Sequence, residues 1–542
     1  MAFSQFADMI REQCRAHPDT TILTFIDIAP SGEFNEETRT YCELLDRGTR
    51  LATWLAAHGV GSGDRFAIMM SNHPEFVEGM VAAALLGAVF VPVDPRSMGD
   101  KLHFLLDFSE CRGVIAADYV LGALAEVAPS CPSLKWTLVM GDGGVPDDGR
   151  LPSPSPYRDA LLESPREFAP VPGDSPFFMM FTSGTTGNPK GVIQTQATYL
   201  AASQGKATGL RESDKLYTGL SLTHINAQGT VRMGLANNVP VVVSRKFTKS
   251  RLWDICRAYG CTMFNLLGGM IPEIFAVPPK PDDADNPVRQ ITTAGMPLAL
   301  WEAYRKRFGV EIVEVYGSTE GGGFLVNPAG VGPPGSMGRA VRPMLAAVFD
   351  EQGRQCPPGV AGELRFRPSD GEAKPVKYFR NEEAGKSKIA DGWFCTGDIV
   401  HQDEDGWFYF HHRAGGGVRR NGDFVNTALV ESVLARAPMV ADVFVYGVAT
   451  PRNIAGEKTL VAAVVPVDPA SFDREAFLDF SRRNLEKNDV PEYVQVLEAI
   501  PKTASEKPIE RECIALLQRS GLIEGGEAGA MPRETFAARE VD

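Results

Sequence analysis

The chain has 542 residues, of which 44% are hydrophobic and 23% are charged, and its formal net charge is −14 at pH 7. This length is enough for several domains, and the composition is ordinary for a globular protein. The negative charge argues against a nucleic-acid-binding protein and against one that binds an anionic membrane surface. The nine cysteines lie singly, without a zinc-binding spacing, which predicts reduced thiols in a cytoplasmic protein.

The N-terminus predicts no signal peptide, because it has neither a basic segment nor an apolar core. The longest apolar run, over 81–93, has 13 residues, which is too short to cross a bilayer. The sequence therefore predicts a protein without a membrane span.

Helices and strands alternate in the predicted structure of the first half of the chain. Apolar spacing predicts a helix over 40–58, a strand over 66–70, a helix over 74–86 and a strand over 88–93. Further predicted strands cover 113–116, 137–140, 239–243 and 310–315. Alternation of this kind is typical of an α/β fold with a largely parallel sheet.

The chain changes in character after about residue 400. Residues 403–406 predict a hairpin turn, and the three glycines at 415–417 predict a hinge. Strands over 442–448 and 460–467 and an amphipathic helix over 474–485 predict a small α+β domain. Residues 524–542 lack apolar periodicity and predict a disordered tail.

The segment over 181–191 reads Phe-Thr-Ser-Gly-Thr-Thr-Gly-Asn-Pro-Lys-Gly and follows an apolar, strand-like run. Its glycines let the backbone approach a ligand closely, while its hydroxyls, amides and lysine suit a polyanion such as a triphosphate. It is not a P-loop, because Lys190 is followed by Gly191 where a P-loop has Ser or Thr. Taken alone, the segment also fits a surface turn of small polar residues.

The sequence Tyr-Gly-Ser-Thr-Glu over 316–320 follows a predicted strand. It is therefore expected at the carboxyl end of a sheet, where open α/β folds bind ligands. Tyr316 can stack on a purine, Thr319 can donate to a phosphate, and the carboxylate of Glu320 can hold Mg²⁺.

Together these motifs resemble those of the acyl-adenylate-forming (AMP-binding) superfamily, which contains acyl-CoA synthetases, adenylation domains of peptide synthetases and firefly-type luciferases. Segment 181–191 is similar to its phosphate loop, 316–320 to its adenine-and-magnesium motif, 393–398 to its ribose-binding motif, and 501–507 to the segment with its catalytic lysine. The likeness covers about residues 20 to 515.

The resemblance implies an α/β fold with a large N-terminal domain over 1–413, made of two α/β subdomains plus a β-rich part. A small mobile α+β C-terminal domain over 414–523 and the tail over 524–542 would follow. The implied activity is that of an ATP-dependent acyl-CoA ligase, which uses ATP, Mg²⁺ and CoA. A carboxylic acid forms acyl-AMP with release of pyrophosphate, and the thiol of CoA then takes the acyl group.

The resemblance also implies roles for individual residues. Lys507, Glu320 and Thr185 are the catalytic candidates, and Glu320 is also the candidate metal ligand. The candidate ATP-binding residues are Thr182, Ser183, Gly184, Thr186, Gly187, Lys190, Gly295, Met296, Pro297, Tyr316, Gly317, Ser318, Thr319, Asp398 and Arg413. Among them, Asp398 has the acceptor-only carboxylate that two ribose hydroxyls need.

The resemblance implies an acyl pocket lined from His224–Gln228, Asn265–Gly269, Ala294–Met296 and Gly321–Phe324. Its candidate residues are His224, Asn226, Gln228, Gly268, Gly321 and Gly322. His224 is interpreted as a pocket wall or gate, because no acid partner for a general base is visible. The glycines remove side-chain volume and favour a bulky or ringed acid. The candidate CoA-binding residues are Arg419, Arg420, Asn421 and Gly422, which the small domain would bring to the site as it removes Lys507.

The chain departs from the family pattern at a few positions: Gly415 replaces an acidic hinge residue, Ser221 a proline, Gln196 a histidine and Glu506 a glycine. Two alternatives remain at this point. One is a free-standing adenylation enzyme that loads the thiol of a carrier protein. The other is a non-catalytic relative, against which the retention of Lys507, Glu320 and Asp398 argues. A homodimer is compatible with the sequence.

Overall fold

Two large mixed β-sheets organise the first 340 residues in the computed structural model of the protein. The structure describes residues 3–141, 143–145, 149–182, 189–201, 205–413, 418–421, 423–450, 453, 457–501 and 508–522. The predicted hinge at 415–417 and the predicted tail over 524–542 lie outside these residues.

The helices of the described residues are numbered here in chain order. They are α1 (Phe6–Ala16), α2 (Tyr41–Ala57), α3 (Pro74–Leu86), α4 (Gly99–Phe108), α5 (Leu121–Val127), α6 (Tyr157–Ala160), α7 (Gln196–Ala201), α8 (Ile225–Asn237), α9 (Leu252–Tyr259), α10 (Met270–Phe275), α11 (Trp301–Phe308), α12 (Glu382–Lys386), α13 (Thr427–Leu434), α14 (Arg474–Asn484) and α15 (Glu510–Arg519).

The strands of the described residues are numbered in the same way. They are β1 (Thr21–Ile28), β2 (Phe34–Thr40), β3 (Arg65–Met69), β4 (Val89–Val93), β5 (Cys111–Ala117), β6 (Trp136–Met140), β7 (Pro154–Pro156), β8 (Pro176–Thr182), β9 (Lys190–Thr195), β10 (Leu216–Thr218), β11 (Val241–Ser244), β12 (Met263–Leu267), β13 (Gln290–Ala294), β14 (Glu311–Tyr316), β15 (Leu325–Asn327), β16 (Arg339–Ala340), β17 (Met344–Phe349), β18 (Gly362–Pro368), β19 (Ile389–Ala390), β20 (Trp393–Gln402), β21 (Phe408–Arg413), β22 (Val418–Arg420), β23 (Asp423–Val425), β24 (Val440–Val448), β25 (Thr459–Pro466) and β26 (Tyr493–Val496).

One sheet of the described residues has seven strands in the order β7-β6-β5-β3-β4-β8-β9. Adjacent strands in this sheet are parallel, except that β8 and β9 form an antiparallel pair. Strands β3 and β4 are almost wholly buried and apolar, as expected of parallel strands covered on both faces. The carboxyl end of β8 leads directly into the predicted phosphate segment.

A second sheet has nine strands in the order β16-β15-β14-β13-β12-β10-β11-β1-β2, again counted over the described residues. Its central strands are parallel, from β14 to β1, and antiparallel strands flank them at both edges. The carboxyl ends of β12, β13 and β14 therefore meet at one edge, which is where ligands bind in open α/β sheets.

The β-rich part and the C-terminal domain complete the fold. Strands β17 to β21 form a third, antiparallel sheet, in which β20 alternates buried and half-buried residues. Beyond it, β22 and β23 form a hairpin, and β24, β25 and β26 form a small sheet. This C-terminal domain has its own apolar core, which includes Val430, Leu460, Ala462 and Phe477.

The predicted elements match the observed ones closely in the N-terminal domain. The predicted helix over 74–86 is α3, with the same bounds, and the predicted strands lie within two residues of β3, β4, β5, β6, β11 and β14. The sequence did not predict β9, which is short and partly polar. No described helix is both long and apolar enough to pass through a membrane.

The prediction that all cysteines are reduced is wrong for two of them. Cys14 on α1 and Cys42 on α2 form a disulfide, and the other seven cysteines are free. The packing of α1 against α2 brings the two Cα atoms to 4.9 Å although the residues are 28 positions apart in the chain. Sequence spacing alone does not reveal such a pair.

A buried carboxylate joins four elements in the core of the N-terminal domain. Glu78 on α3 is fully buried and accepts hydrogen bonds from Arg39 Nε at 2.8 Å, Arg47 Nε at 2.6 Å and Tyr157 Oη at 2.7 Å. The side chain of Arg39 is itself only 8% exposed. The carboxylate thus neutralises a guanidinium that water does not reach.

We expect Glu78→Gln to destabilise the N-terminal domain by about 3 kcal/mol, because it removes the fully buried counter-charge that Arg39 and Arg47 share. Arg39 would keep Glu37, which is 38% exposed. The measurement is the denaturant concentration at the midpoint of unfolding. Glu33→Gln, the same exchange at an exposed position between β1 and β2, serves as the control and should leave the midpoint nearly unchanged. An unchanged midpoint in Glu78→Gln would show that the network contributes nothing to stability.

Candidate functional site

A cavity of about 840 Å³ lies where the carboxyl ends of β12, β13 and β14 face the third sheet and the C-terminal domain. Residues from all of these parts line it, so the fold assembles the site from segments far apart in the chain. The C-terminal domain contributes Arg419, Asn426, Glu486 and Asp489.

The Tyr-Gly-Ser-Thr-Glu segment leaves β14 and forms one wall of the cavity. Tyr316 donates a hydrogen bond to Asp398 Oδ2 at 2.5 Å, and its ring stacks on Phe366 with the centroids 6.2 Å apart. Tyr378 donates to Glu320 Oε1 at 3.0 Å. The first contact joins the predicted adenine and ribose residues, and the second orients the predicted metal ligand on the same wall.

Strand β9 holds the same wall from the other sheet. Gln194 Nε2 donates to the carbonyl oxygen of Thr319 at 2.7 Å. Lys190, at the start of β9, has its ammonium 5.4 Å from the centre of the Tyr378 ring. The end of the phosphate segment is thereby placed next to the Tyr-Gly-Ser-Thr-Glu wall.

Most of the predicted ATP-binding residues that the structure describes line this cavity: Thr182, Lys190, Gly295, Met296, Pro297, Tyr316, Gly317, Ser318, Thr319 and Asp398. Glu320 lines it as well. The predicted residues Ser183, Gly184, Thr185, Thr186, Gly187 and Lys507 lie outside the described residues. The backbone of Arg413 pairs with that of Asp398 across β21 and β20, but its side chain is not described.

A functional carboxyl group that the sequence analysis missed lies beneath the cavity floor. Glu314 on β14 accepts hydrogen bonds from Thr293 Oγ1 at 2.5 Å, from Met296 N at 3.1 Å and from Gly295 N. Burial raises the pKa of this carboxyl to about 7, although the three hydrogen bonds and the charge of Arg419 act in the opposite direction. The only signal in the sequence is an acidic residue between valines in a strand.

The predicted acyl pocket is only partly supported by the geometry. His224 and Asn226 line the cavity, whereas Gln228 is buried and bonded to Tyr199 and to the carbonyl of Leu222. Among the glycines, Gly268 packs against the backbone of Gly295, and a side chain at Gly322 would overlap the Phe394 ring.

Gly321, which has a φ of 81°, does not line the cavity either. The volume left by Gly268 and Gly322 is thus filled by protein. These glycines do not support the inference of a bulky acid.

His224 has the acid neighbour that was not visible in the sequence. Its Nε2 lies 3.7 Å from Asp94 Oδ2, at the end of β4. Arg96 donates to both oxygens of Asp94, at 2.9 Å and 2.7 Å. Burial would raise the pKa of Asp94, but the hydrogen bonds from Arg96 and His224 outweigh it and hold that pKa well below its usual range.

The predicted CoA residues divide into two groups. Arg419 lines the cavity, and its Nη2 would lie 3.4 Å from a Cβ placed on Gly295. Arg420 instead donates to the carbonyls of Asn488 and Val490 and pairs with Glu492 at 2.8 Å. Its guanidinium is held within the C-terminal domain, and its role in binding CoA stays a prediction.

The tip of the β22–β23 hairpin touches the floor of the site. The backbone of Asn421 approaches Gly269 so closely that a Cβ on Gly269 would lie 2.9 Å from its Cα. The side chain of Asn421 donates to Asn488 Oδ1 at 3.1 Å. Gly422 lies outside the described residues.

Ionic contacts hold the C-terminal domain against α4 and the segment before it. Glu486 accepts hydrogen bonds from Ser97 Oγ at 3.0 Å and from Lys101 Nζ at 2.8 Å, and Arg436 pairs with Asp100 at 2.5 Å. Burial alone would lower the pKa of Lys101, but the charges of Glu486 and Asp489 raise it above its usual value. These contacts close one side of the cavity.

Comparison with known proteins places this geometry in a family. Residues 10–370 match the family of AMP-binding enzymes, and residues 429–507 match the C-terminal domain of AMP-binding enzymes. Steroid-22-oyl-CoA synthetase from Rhodococcus jostii (strain RHA1) is 32% identical over 82% of this chain and 80% of its own length. A crotonobetaine/carnitine–CoA ligase from Escherichia coli is 27% identical over 87% of this chain and 92% of its own.

The fold also matches solved structures. A double mutant of o-succinylbenzoate CoA synthetase from Bacillus subtilis, bound with a product analogue, matches with a TM-score of 0.75 at 24% identity. The match covers 93% of this chain and 97% of the other.

We expect Glu314 to make the protein less stable as the pH rises from about 4.5 to about 7. Its pKa is raised in the folded state, so the folded protein holds the proton more tightly than the unfolded chain does across this window, and stability falls with pH. Glu314→Gln should flatten this decline by up to about 3 kcal/mol, measured as the difference in unfolding free energy between the two pH values.

Glu311→Gln, at the start of the same strand, controls for the loss of a carboxylate in general. The same decline with pH in Glu314→Gln and in the unmodified protein would contradict the raised pKa.

Proposed function

Because the chain belongs to the family of AMP-binding enzymes, we propose how its residues carry out the reaction of an AMP-forming acyl-CoA ligase. The enzyme activates a carboxylic acid with ATP and Mg²⁺ as an acyl-adenylate, releases pyrophosphate, and transfers the acyl group to CoA. The relatives reported above are named as CoA synthetases or ligases, which favours CoA over the thiol of a carrier protein as the acceptor.

One observation carries the assignment of roles. The Tyr316–Asp398–Glu320 group and Arg419 of the C-terminal hairpin line a single cavity, so the nucleotide and the incoming thiol can meet at the same acyl carbon. We assign the adenine to the Tyr316 side of the cavity and the ribose hydroxyls to Asp398, because a carboxylate accepts from two donors. We assign the phosphates to Thr182, Lys190 and Thr319, which line the same cavity.

The oxygen donors of this wall fit Mg²⁺, which prefers carboxylate and phosphate oxygens. Glu320 would hold the ion, and Tyr378 orients that carboxylate through its hydrogen bond. When bound, Mg²⁺ neutralises charge on the phosphates.

In the first step, an oxygen of the acid attacks the α-phosphorus and the bond to the pyrophosphate oxygen breaks. Negative charge builds up between the two reacting groups, and we assign Lys507 to stabilise it, because a preorganised cation lowers the energy of such a transition state. Thr185 is the second candidate from the phosphate segment.

In the second step, the sulfur of CoA attacks the acyl carbon, the bond from that carbon to the phosphate oxygen breaks, and AMP leaves. The hairpin position supports a role for Arg419 here, because its guanidinium lies beside the turn at Gly295 and faces the cavity. We therefore interpret the observed arrangement of the C-terminal domain as that of the thiol step. The domain boundary near residue 413 is part of the same proposal.

The acid itself is proposed to be bulky or ringed. The name of the Rhodococcus relative, a steroid-22-oyl-CoA synthetase, supports this size class, whereas the glycines of the site do not. A cytoplasmic location, where ATP and CoA are plentiful, and a homodimer both remain predictions.

We expect Lys507→Ala to reduce pyrophosphate release by on the order of 10²–10³-fold, because it removes one preorganised donor from the adenylation transition state. Thioester formation from a chemically supplied acyl-adenylate should stay nearly normal, since Lys507 is not assigned to that step. The assay measures both half-reactions with a panel of acids. An equal loss in both steps would rule out the separate roles, and the absence of pyrophosphate release with every acid would refute the ligase assignment.

We expect Lys101→Met to slow the thiol step by about threefold to tenfold while leaving adenylation nearly unchanged. The substitution removes the contact with Glu486, and a partly buried ion pair contributes on the order of 1 kcal/mol to the arrangement it stabilises. Lys249→Met, which breaks an exposed pair with Glu273 within the N-terminal domain, is the matched control. A slower adenylation step instead would assign the observed arrangement to the first half-reaction.

A further inference from the structure

Two asparagine side chains form a polar pair at the cavity wall, which Asn226 lines and behind which Asn265 is buried. Asn226 lies in the first turn of α8 and lines the cavity, and Asn265 lies near the end of β12. Asn265 Nδ2 donates a hydrogen bond to Asn226 Oδ1. Apolar residues also line the cavity here, among them Ile225, Leu267 and Ala294.

The pair leaves hydrogen-bonding groups unused. Asn265 is 7% exposed, and its Oδ1 has no hydrogen-bond partner among the described residues. A single N–H···O bond between two amides always leaves one amide nitrogen and one amide oxygen over, whichever way each amide is turned. One donor group and one acceptor therefore remain in this part of the wall.

A buried amide oxygen without a partner is costly, because folding removes it from water and gives nothing back. Native proteins keep few such groups, and those that occur at a binding site mark where a ligand supplies the missing bond. The N-terminus of α8 also favours a ligand at this wall. No side chain caps the N-terminus of α8, which begins at Ile225, so its first N–H groups give this wall a positive potential.

From this inventory, which rests on the proposed function, we infer that the acid activated by this enzyme carries a hydroxyl group that binds between Asn226 and Asn265. A hydroxyl is the group that both donates to the free amide oxygen and accepts from the free amide nitrogen. A keto oxygen only accepts and an ammonium only donates, so each leaves one member of the pair unsatisfied.

A second carboxylate fits this position less well than a hydroxyl. It accepts but does not donate, so the Asn265 oxygen would face another acceptor. His224, which precedes α8, lies beside Asp94, and Asp94 is already held by Arg96. The amide pair is thus a neutral recognition element in which the hydroxyl completes both hydrogen bonds.

The test compares matched acids in pyrophosphate release. Each pair consists of a ringed acid and its monohydroxylated derivative, with the hydroxyl placed at each ring carbon in turn. For the best position we expect the unmodified enzyme to prefer the hydroxy acid in kcat/KM by on the order of 10²-fold or more, because the parent acid leaves the amide pair unpaired. Asn265→Leu should reduce this preference to within about threefold, chiefly by improving the parent acid.

Asn226→Leu provides a second variant, since Asn226 lies at the cavity surface and its replacement disturbs the core less. It should lose the preference in the same way. Asn35→Leu, the same exchange at an exposed position on β2, is the control and should keep the full preference. Binding of the same acids is measured as the rise in Tm, which does not depend on turnover. We expect a larger rise with the hydroxy acid than with its parent acid.

The outcomes separate the two levels of the proposal. Pyrophosphate release without discrimination between parent and hydroxy acids, or a preference that survives in both asparagine variants, would overturn the hydroxyl inference and leave the ligase function intact. Absence of pyrophosphate release with all acids would overturn the ligase function. In that case the Tm shifts still test whether the protein recognises the hydroxyl group. Equal shifts for the parent acid and the hydroxy acid would overturn the hydroxyl inference.

Discussion

A buried carboxyl group fixes the turn on which both halves of the site depend. Glu314 accepts hydrogen bonds from the backbone of Gly295 and Met296 and from Thr293, so the ends of β13 and β14 are tied together. The nucleotide wall starts directly after β14, and Arg419 of the C-terminal hairpin approaches the same turn. Without this anchor, neither the wall nor the docking surface for the hairpin would have a defined position.

Local patterns were sufficient to predict most elements and to identify the Tyr-Gly-Ser-Thr-Glu segment, which lines the cavity. Helix α3 and strand β14 have strong apolar patterns. The motifs at 181–191 and 316–320 are continuous in the chain, so each can be identified without knowledge of the fold. The contacts between distant segments were not predictable. Asp94 lies 130 positions before its neighbour His224, and Cys14 reaches Cys42 only because two helices pack together.

Two expectations that the geometry does not support share a physical cause, which is that residue type does not reveal what already surrounds a group. The sequence predicts a cation available to a ligand at Arg420, yet its guanidinium donates to two carbonyl oxygens and pairs with Glu492. Gly322 reads as empty volume, yet the Phe394 ring fills that space. Both inferences required the neighbours, which come from other strands and from the other end of the C-terminal domain.

The residues proposed to bind the acid and those proposed to bind the nucleotide lie on separate elements of the fold. Asn226 and Asn265 sit on α8 and β12, whereas Tyr316, Glu320 and Asp398 follow β14 or lie on β20. Asn265 is bonded to Asn226, whereas Tyr316 is bonded to Asp398 and Glu320 to Tyr378. Evolution can therefore redraw the acid specificity of such a scaffold by substitutions on one helix and one strand, while the machinery that handles the nucleotide is inherited unchanged.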